Sequence, residues 1–156
     1  MDVYARLKHL AIELPPPPAP GGNYRPVVKT GQDGKLCYTA GVGCKKDGVC
    51  VSIGRAGKEA TLDQAKAAAR QCILNLLSLI QSEIEDLNEI KQFVKMLGFI
   101  ASDESFHDQP KVLDAASNLL EEIFGGKAGK PARAAIGTNV LPNDQTVEIE
   151  LIFELK

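Results

Sequence analysis

The stretch Pro131–Glu154, PARAAIGTNVLPNDQTVEIELIFE, decides the expected fold and contains most of the functional signal. Apolar and acidic residues alternate through its second half, from Val147 to Glu154, as is typical of a strand with one buried face. The turn Leu141-Pro142-Asn143-Asp144 separates this strand from an earlier one at Ala132–Val140. We therefore expect the two strands to form a β-hairpin.

Arg133 is the candidate ligand-binding residue of the earlier strand. Its neighbours are small, so the planar guanidinium has room beside it to hold a carboxylate through two parallel hydrogen bonds. If Asn139 pairs with Thr146, Arg133 and Glu148 face the same way, whereas a slip of one residue puts them on opposite faces. On pattern alone the favoured interpretation is a surface arginine and a surface glutamate on a solvated sheet, because mixed charges on a strand face are ordinary.

Two segments nearer the N-terminus add to this pattern, namely Asn23-Tyr24 and the strand end Tyr38-Thr39-Ala40-Gly41. Together with PARAAIGTNVLPNDQTVEIE they resemble the signature of the reactive intermediate deaminase A family (RidA, also called the YjgF family). The resemblance continues in order and spacing from about Gly22 to Glu154. It implies a homotrimer in which sheets face one another around a central barrel, with three sites in the clefts between subunits.

The remaining segments predict a two-layer α+β domain with a six-stranded mixed sheet and two helices on one face. A capping box at Thr61 and Gln64 begins the longest helix, which should end near Glu85. Further elements are predicted as strands Pro26–Lys29, Lys35–Thr39, Val49–Ile53 and Phe93–Ala101, and as a helix from Asp108 that Gly125-Gly126 ends. Residues 1–21 form an N-terminal helix, Val3–Glu13, and a proline-rich arm, and residues 22–156 form the RidA-like domain.

The resemblance also implies an activity, the hydrolysis of reactive 2-imino acids and their enamine tautomers to 2-keto acids and ammonia. In that reaction Arg133 would hold the substrate carboxylate and Glu148 would orient or deprotonate the attacking water. Tyr24, contributed across the subunit interface, and Gly41 would line the pocket, and the backbone carbonyl of Ala135 would accept a hydrogen bond from the substrate nitrogen. No metal or organic cofactor is required.

Departures from the family pattern predict a larger and less polar pocket. Ala135 stands where archetypal members have a cysteine, and Ala40 stands where they have a serine. Either Asp114 or Ser117 replaces the pocket asparagine of those members, and the sequence leaves this choice open. A bulkier or different substrate is therefore expected.

Composition excludes several classes of protein. A formal charge of −2 over 156 residues gives no reason to expect nucleic-acid binding, and no apolar run approaches the roughly 20 residues that span a bilayer. The first residues do not resemble a signal peptide, so we expect a cytoplasmic protein. The four cysteines lack a C-x2-C pair, which argues against zinc and favours free thiols, with Cys72 packed inside a helical stripe.

A second function fits the same residues. A non-catalytic trimer that binds small carboxylates, as a regulatory protein or scaffold, would also use Arg133. Glu148 and an oriented water matter only to hydrolysis.

Overall fold

The computed structural model describes residues 2–156 as three helices, eight strands and two short 3-10 turns. The helices are α1 (Val3–His9), α2 (Leu62–Ile84) and α3 (Gln109–Ala128). The strands are β1 (Val27–Thr30), β2 (Leu36–Thr39), β3 (Val42–Gly43), β4 (Lys45–Lys46), β5 (Val49–Cys50), β6 (Ile90–Ala101), β7 (Ala132–Thr138) and β8 (Val147–Leu155).

Six strands form one mixed sheet in the order β1-β2-β8-β6-β7, and β3 pairs with β8 beyond the end of β2. Only β6 and β7 run parallel, because α3 returns the chain across the sheet between them. Strands β4 and β5 form a separate hairpin. The predicted α+β class and six-stranded mixed sheet are confirmed, whereas the third predicted strand, Val49–Ile53, shortens to β5.

The predicted hairpin between β7 and β8 is wrong, because β6 lies between them and pairs with both. Met96 lies opposite both Arg133 and Leu151, while Phe99 lies opposite both Ile136 and Glu148. Arg133 and Glu148 therefore face opposite sides of the sheet. The physical reason is that β6, the longest strand, takes ladder hydrogen bonds on both edges, and the 3-10 turn at Pro142–Asp144 belongs to a connection that crosses its end.

Helices α2 and α3 pack against each other and cover one face of the sheet. The capping box at Thr61 and Gln64 is present, with Thr61 N donating to Gln64 Oε1 across 2.8 Å and Gln64 N donating back to Thr61 Oγ1 across 3.2 Å. Cys72 is fully buried, as predicted. The core beneath the helices includes the fully buried side chains Ile73, Leu76, Leu77, Ile80, Met96, Ile100, Leu119, Leu120, Ile123 and Phe153.

Helix α3 continues past the glycines that were expected to end it. Gly125 has φ of +82°, a left-handed conformation that breaks the helical path without stopping the chain from forming another turn to Ala128. Glycine adopts this conformation without the steric cost that a side chain brings. The break therefore changes the direction of the last turn before β7.

The N-terminal helix is shorter than Val3–Glu13 and ends at His9. Val3 and Leu7 are buried against the rest of the domain. Polar contacts fix the helix there. Val3 N donates to Asn88 Oδ1 across 2.9 Å, Arg6 Nε donates to the carbonyl of Glu122 across 2.7 Å, and the hydroxyl of Tyr4 accepts from Leu87 N across 3.0 Å. Residues 12–20 then continue as an arm without helix or strand.

The face of the sheet turned away from α2 and α3, here called the open face, has many apolar side chains. Exposed Val28, Tyr38 and Ile136 lie on it. By strand register it also includes half-buried Leu36, Leu97, Phe99 and Ile152. A sheet face exposed to water is normally polar, so this face has the character of a surface that another protein covers.

Candidate functional site

Glu148 lies on β8 directly opposite Gly43 of β3, and its carboxylate rests against the backbone of Gly41. A Cβ at Gly41 would overlap the Glu148 carboxylate, and a Cβ at Gly43 would overlap the side-chain amide of Gln145. Both positions therefore need glycine for close approach. Because these two residues lack side chains, the Glu148 carboxylate and the Gln145 amide pack directly against the backbone at Gly41 and Gly43.

The environment of Glu148 makes its carboxylate more basic than that of an exposed glutamate. Partial burial, followed by repulsion from Glu150, raises the pKa of Glu148, and the hydrogen bond from Gln145 acts in the opposite direction. That bond runs from Gln145 Nε2 to Glu148 Oε2 across 3.0 Å. A carboxyl group whose pKa is raised above its ordinary value is better suited to accept and return a proton.

A cavity of about 540 Å³ opens beside this carboxylate. Its walls come from the N-terminal arm, from the β2–β3 junction, from α2 and from the turn before β8. Among residues 2–156, its charged lining residues are Lys45 and Glu148. The full lining is Pro18, Ala19, Pro20, Gly21, Tyr24, Pro26, Ala40, Gly41, Val42, Gly43, Lys45, Asn75, Leu79, Pro142, Asn143, Gln145 and Glu148.

Tyr24 lines the same cavity as Gly41 and Glu148, so the fold brings three of the predicted site residues together within one chain. The tyrosine is 50% exposed, and its hydroxyl accepts a hydrogen bond from Gly21 N across 2.9 Å. Ala40, one of the departures from the family pattern, also lines this cavity. These residues form a candidate site centred on the Glu148 carboxylate.

Arg133 and Ala135 lie elsewhere, on the helix-covered side of edge strand β7. The Arg133 guanidinium donates to Ser117 Oγ across 2.9 Å, to Asp114 Oδ1 across 2.6 Å and to the Pro110 carbonyl across 3.3 Å. Asp114 and Ser117, between which the sequence left a choice, thus both contact Arg133. The second group of predicted residues is separate from the cavity at Glu148.

The ion pair between Arg133 and Asp114 lies close to solvent. Their side chains are 27% and 55% exposed, respectively. Ion pairs this accessible contribute at most about 1 kcal/mol, because water solvates both partners when they separate. Exchanging Asp114 for an external carboxylate therefore costs little.

Sequence reasoning missed two polar residues that shape the cavity, Gln145 and Asn75. Asn75 donates from Nδ2 to the carbonyls of Gly43 and Lys45, across 2.9 and 2.8 Å, and accepts from Gln71 Nε2 across 2.9 Å. It is 4% exposed and sits within the apolar stripe of α2. A pair of amides four residues apart on a buried helix face was the available signal, because buried amides require fixed partners.

The chain is similar to a known protein family and to individual proteins over nearly its whole length. The family described as "YjgF/chorismate_mutase-like, putative endoribonuclease" matches residues 4–155. Protein TCP17 of Trypanosoma cruzi is 36% identical over 154 residues, which are 98% of this chain and 94% of that protein.

Two solved structures match nearly the whole chain. Protein Atu1372 of Agrobacterium tumefaciens, described as having unknown function, superposes with a TM-score of 0.89 at 33% identity, over 99% of this chain and 92% of that one. A protein of Shewanella oneidensis described as a "putative endoribonuclease" gives a TM-score of 0.93 at 31% identity, over 99% of this chain and 100% of that one. Among residues 2–156, no helix combines the length and apolarity that crossing a membrane requires.

Proposed function

Because the chain belongs to the YjgF/chorismate mutase-like family, we propose that it hydrolyses reactive 2-imino acids and enamines to 2-keto acids and ammonia. The observation that supports this most strongly is the half-buried Glu148 carboxylate, whose pKa is raised and which lies over Gly41 in a cavity with Tyr24. A base next to a cavity of this size can hold one water against a bound imine.

The reaction needs few groups. Ionised Glu148 accepts a proton from water as the water oxygen bonds to the imine carbon, and the C=N bond becomes a C–N single bond. Glu148 returns that proton to the nitrogen, which gives a carbinolamine. The carbinolamine hydroxyl then gives its proton to the nitrogen through Glu148, the C–N bond breaks to release ammonia, and the C=O bond of the keto acid forms. Water supplies the oxygen and the required hydrogens, so no redox partner is needed.

Arg133 holds the substrate carboxylate in this proposal, and it must come from a neighbouring copy of the chain. Within one chain Arg133 and Glu148 face opposite sides of the sheet. In a neighbouring copy, the edge strand β7 would bring Arg133 and the carbonyl of Ala135 to the cavity that contains Glu148. The accessible ion pair with Asp114 opens at small cost when a substrate carboxylate takes its place.

A homotrimer supplies that arrangement. The apolar open face, with Val28, Tyr38 and Ile136 exposed on it, supports a further protein contact. A contact that joins the Arg133 region of one copy to the Glu148 region of the next is heterologous, and such contacts form a ring when the rotation between neighbouring copies closes. Three copies then form three equivalent sites. The four free cysteines are consistent with a reducing compartment, and we propose a cytoplasmic location.

The competing function is a trimer that binds small carboxylates without catalysis. The same cavity and Arg133 favour it. Binding without catalysis needs no proton acceptor, so it leaves the raised pKa of Glu148 without a role. The endoribonuclease named among the relatives is supported less, because the cavity has one cation among its lining residues and phosphate backbones need several.

A direct assay decides between hydrolysis and binding. An amino-acid oxidase generates the imino acid, and semicarbazide traps the imino acid that has not been hydrolysed. Turnover is measured as the share of imino acid that becomes keto acid before it is trapped. Arg133→Ala should abolish turnover and carboxylate binding, whereas Glu148→Gln should reduce turnover and leave binding intact. The exposed Arg70→Ala and Glu83→Gln serve as matched controls. Tight carboxylate binding with no diversion of several imino acids would favour the binding protein.

A further inference from the structure

The proline-rich arm covers the cavity that contains Glu148. Residues 12–20 leave α1 without regular structure, and Pro18, Ala19, Pro20 and Gly21 line the cavity. Leu79 of α2 also lines the cavity. The arm is therefore part of the candidate site, although neither Arg133 nor Glu148 depends on it for position.

Contacts on both sides of this segment hold it in place. Ser78 Oγ donates to the carbonyl of Pro15 across 2.5 Å, and Gly21 N donates to the Tyr24 hydroxyl across 2.9 Å. Each proline also has a fixed φ, so the segment has few alternative conformations to lose when a ligand binds. The arm is a preorganised wall.

The chemistry of this wall is apolar. Pro18 and Pro20 have no backbone N–H, and the N–H of Gly21 is already bonded to Tyr24. Within Pro18–Gly21 only Ala19 has a backbone N–H without a hydrogen bond, so the wall presents mainly proline ring carbons and few hydrogen-bond donors to a ligand. The cavity of about 540 Å³ is in the range that encloses ligands far larger than a three-carbon acid.

We propose that Pro18 and Pro20 determine specificity, so that the site prefers 2-imino acids with a branched or long apolar side chain over the three-carbon imino acid. This inference rests on the proposed function and names its substrate class. Leu79 and the two proline rings contact the side chain, while Glu148 faces the imine carbon. Lys45 is exposed, so its charge stays hydrated and selects acidic side chains more weakly than the proline rings select apolar ones.

The test compares imino acids made by an oxidase from alanine, leucine and glutamate. The wild-type chain should give the highest kcat/KM with the leucine-derived compound. Pro18→Ala combined with Pro20→Ala should lower the leucine-over-alanine preference about tenfold, since a few ring carbons in an apolar pocket change selectivity by that order. The matched control, Pro16→Ala with Pro17→Ala, changes the same proline run outside the cavity lining and should keep the preference.

Binding of the corresponding stable 2-keto acids, measured by calorimetry on the same proteins, separates this inference from the proposed function. If no imino acid is hydrolysed, the proposed function fails, and the keto acids still report whether the arm selects side chains. Loss of selectivity in the Pro18/Pro20 variant with retention in the control supports the inference. It is overturned if the Pro18/Pro20 variant keeps the wild-type preference, or if the wild type prefers the alanine- or glutamate-derived compounds.

Discussion

Gln145 donates a hydrogen bond from its side-chain amide to Oε2 of Glu148 across 3.0 Å, and Gln145 is itself 5% exposed. The amide is confined on its other side by Gly43, where a Cβ would overlap it. This arrangement fixes one carboxylate oxygen and leaves Oε1 beside Gly41. Glu148 therefore has a defined orientation before any substrate binds.

Replacing Gln145 by methionine should raise the pKa of Glu148 further, because the hydrogen bond that lowers it is lost while burial and Glu150 continue to raise it. Catalysis uses the ionised carboxylate, so the rising limb of the pH–rate profile should move to higher pH with little change in its plateau. Carbon NMR of the Glu148 carboxyl, assigned with Glu148→Gln, measures the same pKa without substrate.

The same substitution has a consequence for stability. A folded-state pKa above the unfolded value means that the folded chain binds more protons, so this group lowers stability as pH rises through the interval between the two values. Gln145→Met should widen that interval. An NMR titration in which the Glu148 pKa stays constant or falls would show that Gln145 does not tune it.

Gly41→Ala should reduce turnover at least tenfold while the protein remains folded, because the added methyl group displaces the Glu148 carboxylate and misplaced catalytic groups lose about two orders of magnitude. Gly126→Ala is the matched control, since a Cβ at that position meets its nearest atom, Glu121 Oε1, at 3.6 Å. Kinetics and circular dichroism on both variants give the comparison. Normal turnover in Gly41→Ala would mean that the orientation of Glu148 is unimportant.

Asn75→Ala should destabilise the protein by about 1–3 kcal/mol, because the carbonyls of Gly43 and Lys45 lose their side-chain donor in a partly buried place. Urea unfolding measures the change. Asn118→Ala, on the exposed side of α3, should alter the free energy of unfolding by less than about 0.5 kcal/mol. Equal effects from the two substitutions would refute the structural role of Asn75.

Local patterns predicted the elements of this fold well. The capping box at Thr61, the apolar stripe of α2 and the alternation along β8 each depend on neighbouring residues, and each predicted element is present. Helix and strand ends were less accurate. Gly125, for example, breaks α3 but does not end it, since the helix resumes after a single left-handed residue.

The pairing of the strands was predicted less well than the strands themselves. The turn at Pro142–Asp144 suggested that β7 and β8 pair, yet β6, distant in sequence, separates them. Which strands become neighbours depends on how α3 crosses the sheet. The order of β6, α3 and β7 favours a parallel pair, as observed, but the turn residues at Pro142–Asp144 were given more weight. The wrong strand pairing also affected the predicted site, because it placed Arg133 and Glu148 on one face. In the structure Tyr24, Gly41 and Glu148 share a cavity, while Arg133 faces the opposite side of the sheet.

A site shared by two copies of the chain is tested directly by mixing two inactive variants. Arg133→Ala keeps Glu148, and Glu148→Gln keeps Arg133, so each alone should be inactive. When the two are unfolded together in equal amounts and refolded, about a quarter of the inter-subunit sites should combine an intact Glu148 with an intact Arg133 from the next copy. Recovery of about a quarter of wild-type turnover is the predicted result, and no recovery, with both variants assembled normally, would contradict it.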